Sequence, residues 1–126
     1  AYADAYSVTA TGGTINVVVG SNDFVPQVEV LDGNMNAVAV DANFWWNNTA
    51  TVSFHAQPGQ QYFVVVAAED WGWGNYAVAY SGVSFDQQLN PQDYSSGASN
   101  AGFGSAATAT TPTVAGQIFS QQPINA

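Results

Sequence analysis

Three segments of the sequence carry side chains with the most scope for chemistry, because each combines aromatic rings with carboxylates or amides. They are SNDFVP at 21–26, DANFWWNN at 41–48 and EDWGWGN at 69–75, and together they hold all four tryptophans of the chain. Rings of this kind stack on flat ligands or anchor contacts between proteins. The aromatic candidates for a binding or assembly surface are Phe24, Phe44, Trp45, Trp46, Trp71 and Trp73.

These aromatic residues have three interpretations that the sequence leaves open. They could fold over one end of the domain and cap its core. Their rings could stack on pyranose faces while Asp and Asn side chains exchange hydrogen bonds with sugar hydroxyls. They could also dock on a second protein molecule, since Trp and Tyr are favoured interface residues. We expect Phe44 to be partly buried, and at least one of Trp45 and Trp46 to contact a neighbouring molecule.

The same segments carry carboxylates and a glycosylation sequence. Carboxylate oxygens suit calcium, which could accompany either sugar binding or assembly, although no EF-hand-like spacing is present. The tripeptide Asn47-Asn48-Thr49 makes Asn47 a candidate for N-glycosylation, and Thr110 and Thr111, beside Pro112, resemble an O-glycosylated stretch. The candidate metal ligands are Asp23, Asp41, Glu69 and Asp70.

No set of residues points to an enzyme. The single histidine, His55, follows Phe54 at the end of an apolar alternation and is expected on the surface. The chain lacks cysteine, and no nucleophile-elbow sequence is present for a Ser-His-Asp triad. Glu69 and Asp70 are adjacent, so on an extended strand they point to opposite faces and make a poor acid/base pair. We therefore expect a non-catalytic protein with no essential cofactor other than possible calcium.

The charge balance excludes several partners. The chain has no Lys or Arg, carries a formal charge of −9, and has only 7 % charged residues. It cannot neutralise phosphates, which excludes nucleic acid, and it has no basic patch for an anionic lipid surface. No run of apolar residues is long enough to span a bilayer, so membrane insertion is not expected. Because the chain opens on AYADAYSVTA, as a secreted protein does after its leader is removed, we expect an extracellular or cell-surface location.

The elements that must position these segments are short strands. Period-two alternation of β-branched and aromatic residues, with turn residues at each break, predicts antiparallel strands between residues 4 and 81. This favours an all-β antiparallel sandwich, of the jelly-roll or immunoglobulin-like kind, with about seven to nine strands. The residues expected on core-facing sides are Tyr6, Val8 and Ala10; Ile15, Val17 and Val19; Val28 and Val30; Val38 and Val40; Val52 and Phe54; Tyr62, Val64 and Val66; and Tyr76, Val78 and Tyr80.

The composition changes after the last of these strands. We predict a sandwich domain over residues 1–82 and a low-complexity, extended C-terminal segment over 83–126. Within that tail, SAATATTPTVAGQIF has enough Thr, Val, Ile and Phe to form a strand, despite Pro112, which suits an edge. Such a strand could be added to this sandwich or exchanged with a neighbour.

Alternation of strand direction also predicts where the loops lie. Consecutive antiparallel strands place successive connections at alternate ends of the sandwich. The three aromatic segments are the second, fourth and sixth connections, so they are expected at one end. Loops clustered on a rigid scaffold commonly carry binding residues.

The strand and turn motifs resemble those of the bacterial pre-peptidase C-terminal domain. The matching stretches are AYSVTATGGTINVVV, VEVLDGNMNAVAV, TVSFHAQPGQQYFVVVAA and GNYAVAY, within residues 5–80. This resemblance implies a secreted β-sandwich of the kind often appended to extracellular proteases, and it speaks to fold more than to function. The positions that carry it are Tyr6, 32–36, Pro58, Gly59, Tyr62, Gly74 and Tyr76.

These observations lead to two functional expectations. The first is a secreted structural protein that assembles with copies of itself into a filament, surface layer or matrix. In this assembly a terminal segment of one molecule adds a strand to the sheet of a neighbour. The segment is either AYADAYSV or SAATATTPTVAGQIF. The alternative is an extracellular module that binds polysaccharide or mediates calcium-assisted adhesion, with the tryptophans as its platform.

Overall fold

The structure is a computed structural model that describes residues 3–42, 48–69, 74–89 and 113–118. Within these ranges the chain forms nine strands. No helix among the described residues is long and apolar enough to cross a membrane. The strands are β1 Ala3–Ala10, β2 Thr14–Gly20, β3 Pro26–Leu31, β4 Ala37–Ala42, β5 Thr49–His55, β6 Gln61–Ala68, β7 Gly74–Ser81, β8 Val83–Gln88 and β9 Thr113–Ile118.

The strands form two antiparallel sheets packed face to face, so the predicted sandwich is confirmed. The first sheet has the order β4-β3-β6-β1-β8, and the second has the order β5-β2-β7-β9. Among consecutive strands, only β3 and β4 are neighbours in one sheet. All connections between β1 and β8 except β3–β4 therefore cross from one sheet to the other. Most strand pairs in both sheets thus join strands that are far apart in the sequence.

The core lies between the two sheets and is made of the alternating residues that the period-two pattern selects. Val8 in β1, Val17 in β2 and Val64 in β6 are fully buried, and each is flanked two positions away by another core residue. Aromatic rings close the layer near β8, where the Tyr80 and Phe85 centroids are 4.5 Å apart. Burial of such side chains contributes about 1.5–3 kcal/mol each to the free energy of folding.

The prediction for β4 is wrong, because its two valines face outward. Val38 and Val40 are 41 % and 58 % exposed. Directly opposed residues of an antiparallel pair share a face. Asp41 pairs with buried Val28, and Ala39 pairs with buried Val30, so Ala39 and Asp41 share the core-facing side. A register irregularity at Val30/Leu31 then leaves Val38 without an opposed residue.

The C-terminal part of the chain adds one strand to each sheet. β8 pairs with β1 at the edge of the first sheet, with Val83 opposite Ala10 and Gln88 opposite Tyr6, so the sandwich extends past the predicted boundary at residue 82. β9 pairs with β7 at the edge of the second sheet. β8 ends toward the end of the sandwich where β7 begins, whereas β9 starts near the other end, opposite Ala79.

Candidate functional site

The three aromatic segments begin and end at the same end of the sandwich. Their described flanking residues are joined by backbone hydrogen bonds: Ser21 N donates to Asn48 O at 2.9 Å, and Glu69 N donates to Val25 O at 2.8 Å. These contacts join the β2–β3 connection to the segments before β5 and after β6. The predicted clustering of the three connections therefore holds for the residues that flank them.

Ser21 organises this end. It is 7 % exposed, and its hydroxyl donates to Asn75 O at 2.8 Å. The same oxygen accepts from the backbone N–H groups of Asp23, at 3.0 Å, and Phe24, at 3.2 Å. A hydroxyl placed two residues before a turn commonly makes such bonds to the backbone. One side chain thus fixes the β2–β3 turn against the first residues of β7.

Asp23 forms a second link between the same two elements. Its Oδ2 accepts a hydrogen bond from Asn75 N at 2.7 Å. The carboxylate lies against Gly74, whose φ is 139°, and a Cβ at that position would come within 2.7 Å of the Asp23 Cγ. Only glycine combines that backbone angle with this close approach. Gly74 is therefore required for the Asp23 carboxylate to reach the start of β7.

An open polar cleft of about 570 Å³ lies between these elements. We call it the loop-end cleft. The ends of β2, β5 and β7 form its base, and side-chain amides of three asparagines surround it. Its polar residues are Ser21, Asn22, Asp23, Asn48, Thr49 and Asn75.

Of the predicted aromatic candidates, only Phe24 belongs to the described residues, and it is part of the core. It is 5 % exposed, and its ring meets Tyr76 edge to face with centroids 6.2 Å apart. Phe24 therefore caps the end of the core and is not an exposed binding residue. The other binding, metal and glycosylation candidates that lie outside the described residues are Phe44, Trp45, Trp46, Asn47, Asp70, Trp71, Trp73, Thr110 and Thr111.

The described carboxylates are dispersed. Asp41 Oδ2 accepts a hydrogen bond from Thr51 N of β5 at 2.7 Å, so this side chain bridges the two sheets at their β4/β5 edge. Asp23 is engaged with Asn75, and Glu69 follows β6. No group of three acidic, histidine or cysteine residues within the described ranges could hold a metal ion. His55, at the end of β5, is exposed as predicted.

A second feature lies beneath β9, where polar groups are buried in the core. Asp4 is 2 % exposed, and its Oδ2 accepts a hydrogen bond from the Tyr76 hydroxyl at 2.6 Å. The Tyr76 hydroxyl also makes a short hydrogen bond with that of Tyr6. Gly116 of β9 is opposite Tyr76 in the sheet, and a Cβ there would come within 2.8 Å of the Tyr6 hydroxyl and closer to the Tyr76 ring. We call the surface formed by Asp4, Tyr6 and Tyr76 the β9 seat.

Burial keeps both phenols of the β9 seat protonated. The pKa of Tyr6 is raised well above its ordinary value, first by desolvation and then by the nearby Asp4 carboxylate. The pKa of Tyr76 is also raised, by burial, by repulsion from ionised Tyr6 and Asp4, and by its hydrogen bonds to both. Neutral hydroxyls can donate, which allows Tyr76 to satisfy the Asp4 carboxylate.

Sequence reasoning missed three of the residues that form these two features, namely Asp4, Ser21 and Gly116. Asp4 precedes Tyr6 by two positions in an apolar alternation, so a charged residue on a core-facing side was a usable signal. Gly116 interrupts the apolar strand TVAGQI, and a glycine inside a strand often marks a close approach of another group. Ser21 carries no comparable signal, because serine is ordinary in turns.

Solved structures with a similar arrangement include a pre-peptidase C-terminal domain of a collagenase from Bacillus anthracis. The two are 20 % identical, with a TM-score of 0.46, over 65 % of this chain and 76 % of that one. A glycoside hydrolase family 32 structure from Bifidobacterium adolescentis is also 20 % identical, with a TM-score of 0.40, over 71 % of this chain and 15 % of that one. No protein-family model matches the chain, and no curated protein does. The first structure is of the domain type that the strand and turn motifs resemble.

Proposed function

We propose that this chain is a secreted, non-enzymatic structural protein that assembles with copies of itself into an extracellular filament, surface layer or matrix. The proposed mechanism is exchange of β9, which leaves its own sandwich and pairs with β7 of a neighbour. The observation that supports it is the β9 seat: an edge strand at the end of a long connection fits a matched site through Gly116.

β9 is better suited to exchange than the N-terminal segment. β1 lies inside its sheet, paired with β6 on one side and β8 on the other. It is also tied to β2 by residues 11–13 alone, so it cannot reach another molecule without opening the core. Among the described strands β9 pairs with β7 alone, so it can leave without breaking any other strand pair.

The chain between Gln88 and Thr113 is long enough for either arrangement. Fully extended, it reaches about 80 Å at about 3.3 Å per residue. An eight-residue strand such as β7 is only about 26 Å long. The same contacts form in both arrangements, so the balance depends on the effective concentration of a chain's own β9. That concentration falls as the connection lengthens, which favours exchange where the protein is locally concentrated.

The chemistry of the pairing needs no charge. Strand addition gains affinity from main-chain hydrogen bonds, and side-chain fit supplies specificity. β9 has the sequence TVAGQI, without a charged residue, and its Ile118 is 2 % exposed in the core. Sheet edges are commonly protected by lysine, which this chain lacks.

Exchange of one strand in one direction makes a heterologous contact. Each molecule then donates β9 to one neighbour and accepts β9 from another, so the contact propagates as a filament unless its rotation closes a ring. A chain without β9 retains the other eight described strands and has an open edge at β7. Such a chain should bind the end of a growing polymer but donate nothing to the next molecule.

The test uses engineered cysteines, since the chain contains none. Ala77 and Ala115 are opposed in the β7–β9 pair. Their Cα atoms are therefore about 4.5–5.5 Å apart, within disulfide range. Chains carrying only Ala77→Cys are mixed with chains carrying only Ala115→Cys, concentrated and oxidised. Exchange of β9 should give a disulfide between the two kinds of chain, which electrophoresis and mass spectrometry of the linked peptides identify.

Two further variants make the result decisive. Gln27→Cys, on the other sheet, replaces Ala77→Cys in a control mixture that measures cross-linking by random collision. The double variant with Ala77→Cys and Ala115→Cys should form an intramolecular disulfide when dilute and then remain a monomer until it is reduced. If the mixture gives no more linked dimer than the control while the double variant closes on itself, β9 exchange is wrong.

A further inference from the structure

We infer that the loop-end cleft is a binding site for a neutral saccharide. This inference does not depend on β9 exchange, because the cleft is formed by β2, β5, β7 and their connections, and no described residue of β9 lines it. Tyr76 belongs to both sites, but β9 pairs with the edge of β7, whereas the cleft offers side-chain amides and one carboxylate at the loop end.

The cleft is organised before any ligand arrives. The Ser21 hydroxyl joins the β2–β3 turn to Asn75, and the Ser21 amide binds Asn48 O. The Asp23 carboxylate then fixes the N–H of Asn75. Hydrogen bonds within the protein thus hold the backbone at Asn48 and Asn75, which reduces the entropy lost when a ligand orders the site.

The exposed groups match sugar hydroxyls in kind. Asn22, Asn48 and Asn75 are all exposed, and each primary amide offers two donors and one acceptor. Asn48 Nδ2 donates a long hydrogen bond to Asn22 Oδ1, at 3.5 Å. Saccharide hydroxyls both donate and accept, so adjacent hydroxyls of one ring can bond to neighbouring amides of this kind.

Charge selects against acidic ligands. The chain has no Lys or Arg at all, so phosphate, sulfate and uronate groups would find no cation. Asp23 adds a negative charge to the wall of the cleft, which repels anions further. A single carboxylate whose Oδ2 already binds Asn75 N is also a poor basis for a metal site. The remaining class is a neutral, polyhydroxylated ligand.

The size of the cleft agrees with this class. Its volume of about 570 Å³ lies within the range of roughly 300–1,000 Å³ typical of small-molecule sites. The chain also contains four tryptophans, whose fluorescence gives an intrinsic signal for binding experiments.

The experiment measures binding of soluble neutral polysaccharides to the unmodified full chain, kept dilute so that association between copies is minimal. It is titrated with xyloglucan, galactomannan, mixed-linkage β-glucan and amylose, and with polygalacturonate as an acidic comparison. Tryptophan fluorescence and affinity electrophoresis give the dissociation constants. We expect binding of at least one neutral polymer and none of polygalacturonate.

Asparagine variants locate the site. Asn22→Ala with Asn48→Ala should weaken binding about tenfold or more, because it removes two amides that would hydrogen-bond to the ligand. Asn34→Ala with Asn36→Ala removes two exposed amides at the opposite end and should leave binding unchanged. No binding of any neutral polymer would overturn the inference. So would preference for polygalacturonate, or equal losses in both double variants. Any of these outcomes leaves the cysteine test of β9 exchange unaffected.

Discussion

Gly116 on β9 lies directly opposite Tyr76 on β7, where there is space for a hydrogen atom but not for a methyl group. The Tyr76 hydroxyl donates a hydrogen bond to the carboxylate of Asp4, which lies on the other sheet. A glycine on the outermost strand therefore matches a polar network that joins the two sheets. This relationship gives β9 a defined register despite its short length and its lack of charged residues.

The first prediction concerns Gly116. Gly116→Ala should place its methyl group against the Tyr76 ring and the Tyr6 hydroxyl, and overpacking of this kind costs about 1–3 kcal/mol. We expect faster amide exchange throughout β9, a lower free energy of unfolding in urea, and weaker assembly. Gly13→Ala is the matched control, because nothing lies within 4 Å of a Cβ at that position. Equal amide protection of β9 in both variants would show that the close approach has no energetic role.

Much of the fold could be predicted because the apolar alternation is regular in most strands. In β2 the pattern TINVVVG places Ile15, Val17 and Val19 on one side, and all three are fully buried. The same rule failed in AVAVD, where small and large apolar residues alternate and give no polar contrast. The alternation predicts Val38 and Val40 on the core-facing side, but the register with β3 places Ala39 and Asp41 there. Pairing with a neighbour decided the face, and a single strand does not encode its neighbour.

The candidate site was predictable in position but not in detail. Alternating chain direction was sufficient to bring Ser21, Asn48 and Asn75 together, since it depends only on the number of strands between connections. Which side chains are exposed depends on local turn geometry, and this explains why Phe24 packs against Tyr76 in the core and is not exposed. The cleft is lined by side-chain amides, whereas the sequence analysis selected mainly the aromatic residues of the same segments.

The second prediction concerns the opposite edge of the sandwich, where Asp41 bridges β4 and β5. Asp41→Ala removes the acceptor of the Thr51 N–H bond, and such a bond contributes about 0.5–1.5 kcal/mol. We expect the Thr51 amide to exchange about tenfold faster, as measured by NMR. Asp41→Asn retains a carbonyl oxygen and should preserve most of the protection. If alanine and asparagine give the same exchange rate as aspartate, the bridge does not form in solution.

The third prediction concerns Ser21, the organiser of the loop end. Ser21→Ala leaves the N–H groups of Asp23 and Phe24 and the Asn75 carbonyl without their hydroxyl partner, which should cost about 1–3 kcal/mol. The amide resonances of Asn48 and Asn75 should shift, and saccharide binding should weaken. Ser53→Ala is the control, because the Ser53 hydroxyl makes one exposed bond to Asn16. A change in stability as small as that of Ser53→Ala would contradict the role assigned to Ser21.

The fourth prediction concerns the pH dependence of stability. Burial raises the pKa of Tyr6 and of Tyr76 in the folded state, whereas tyrosines of the unfolded chain ionise near pH 10. Their contribution to stability is therefore fully present below about pH 10 and is lost as the pH rises above it, because the unfolded chain releases its phenolic protons first. Two such phenols lower the free energy of unfolding by up to about 2.7 kcal/mol per pH unit. Urea denaturation from about pH 9 to about pH 12 measures this slope. Tyr6→Phe should make this slope shallower by up to about 1.4 kcal/mol per pH unit and should leave the slope below pH 10 unchanged. An unaltered alkaline slope would mean that Tyr6 is not shielded from solvent in the folded protein.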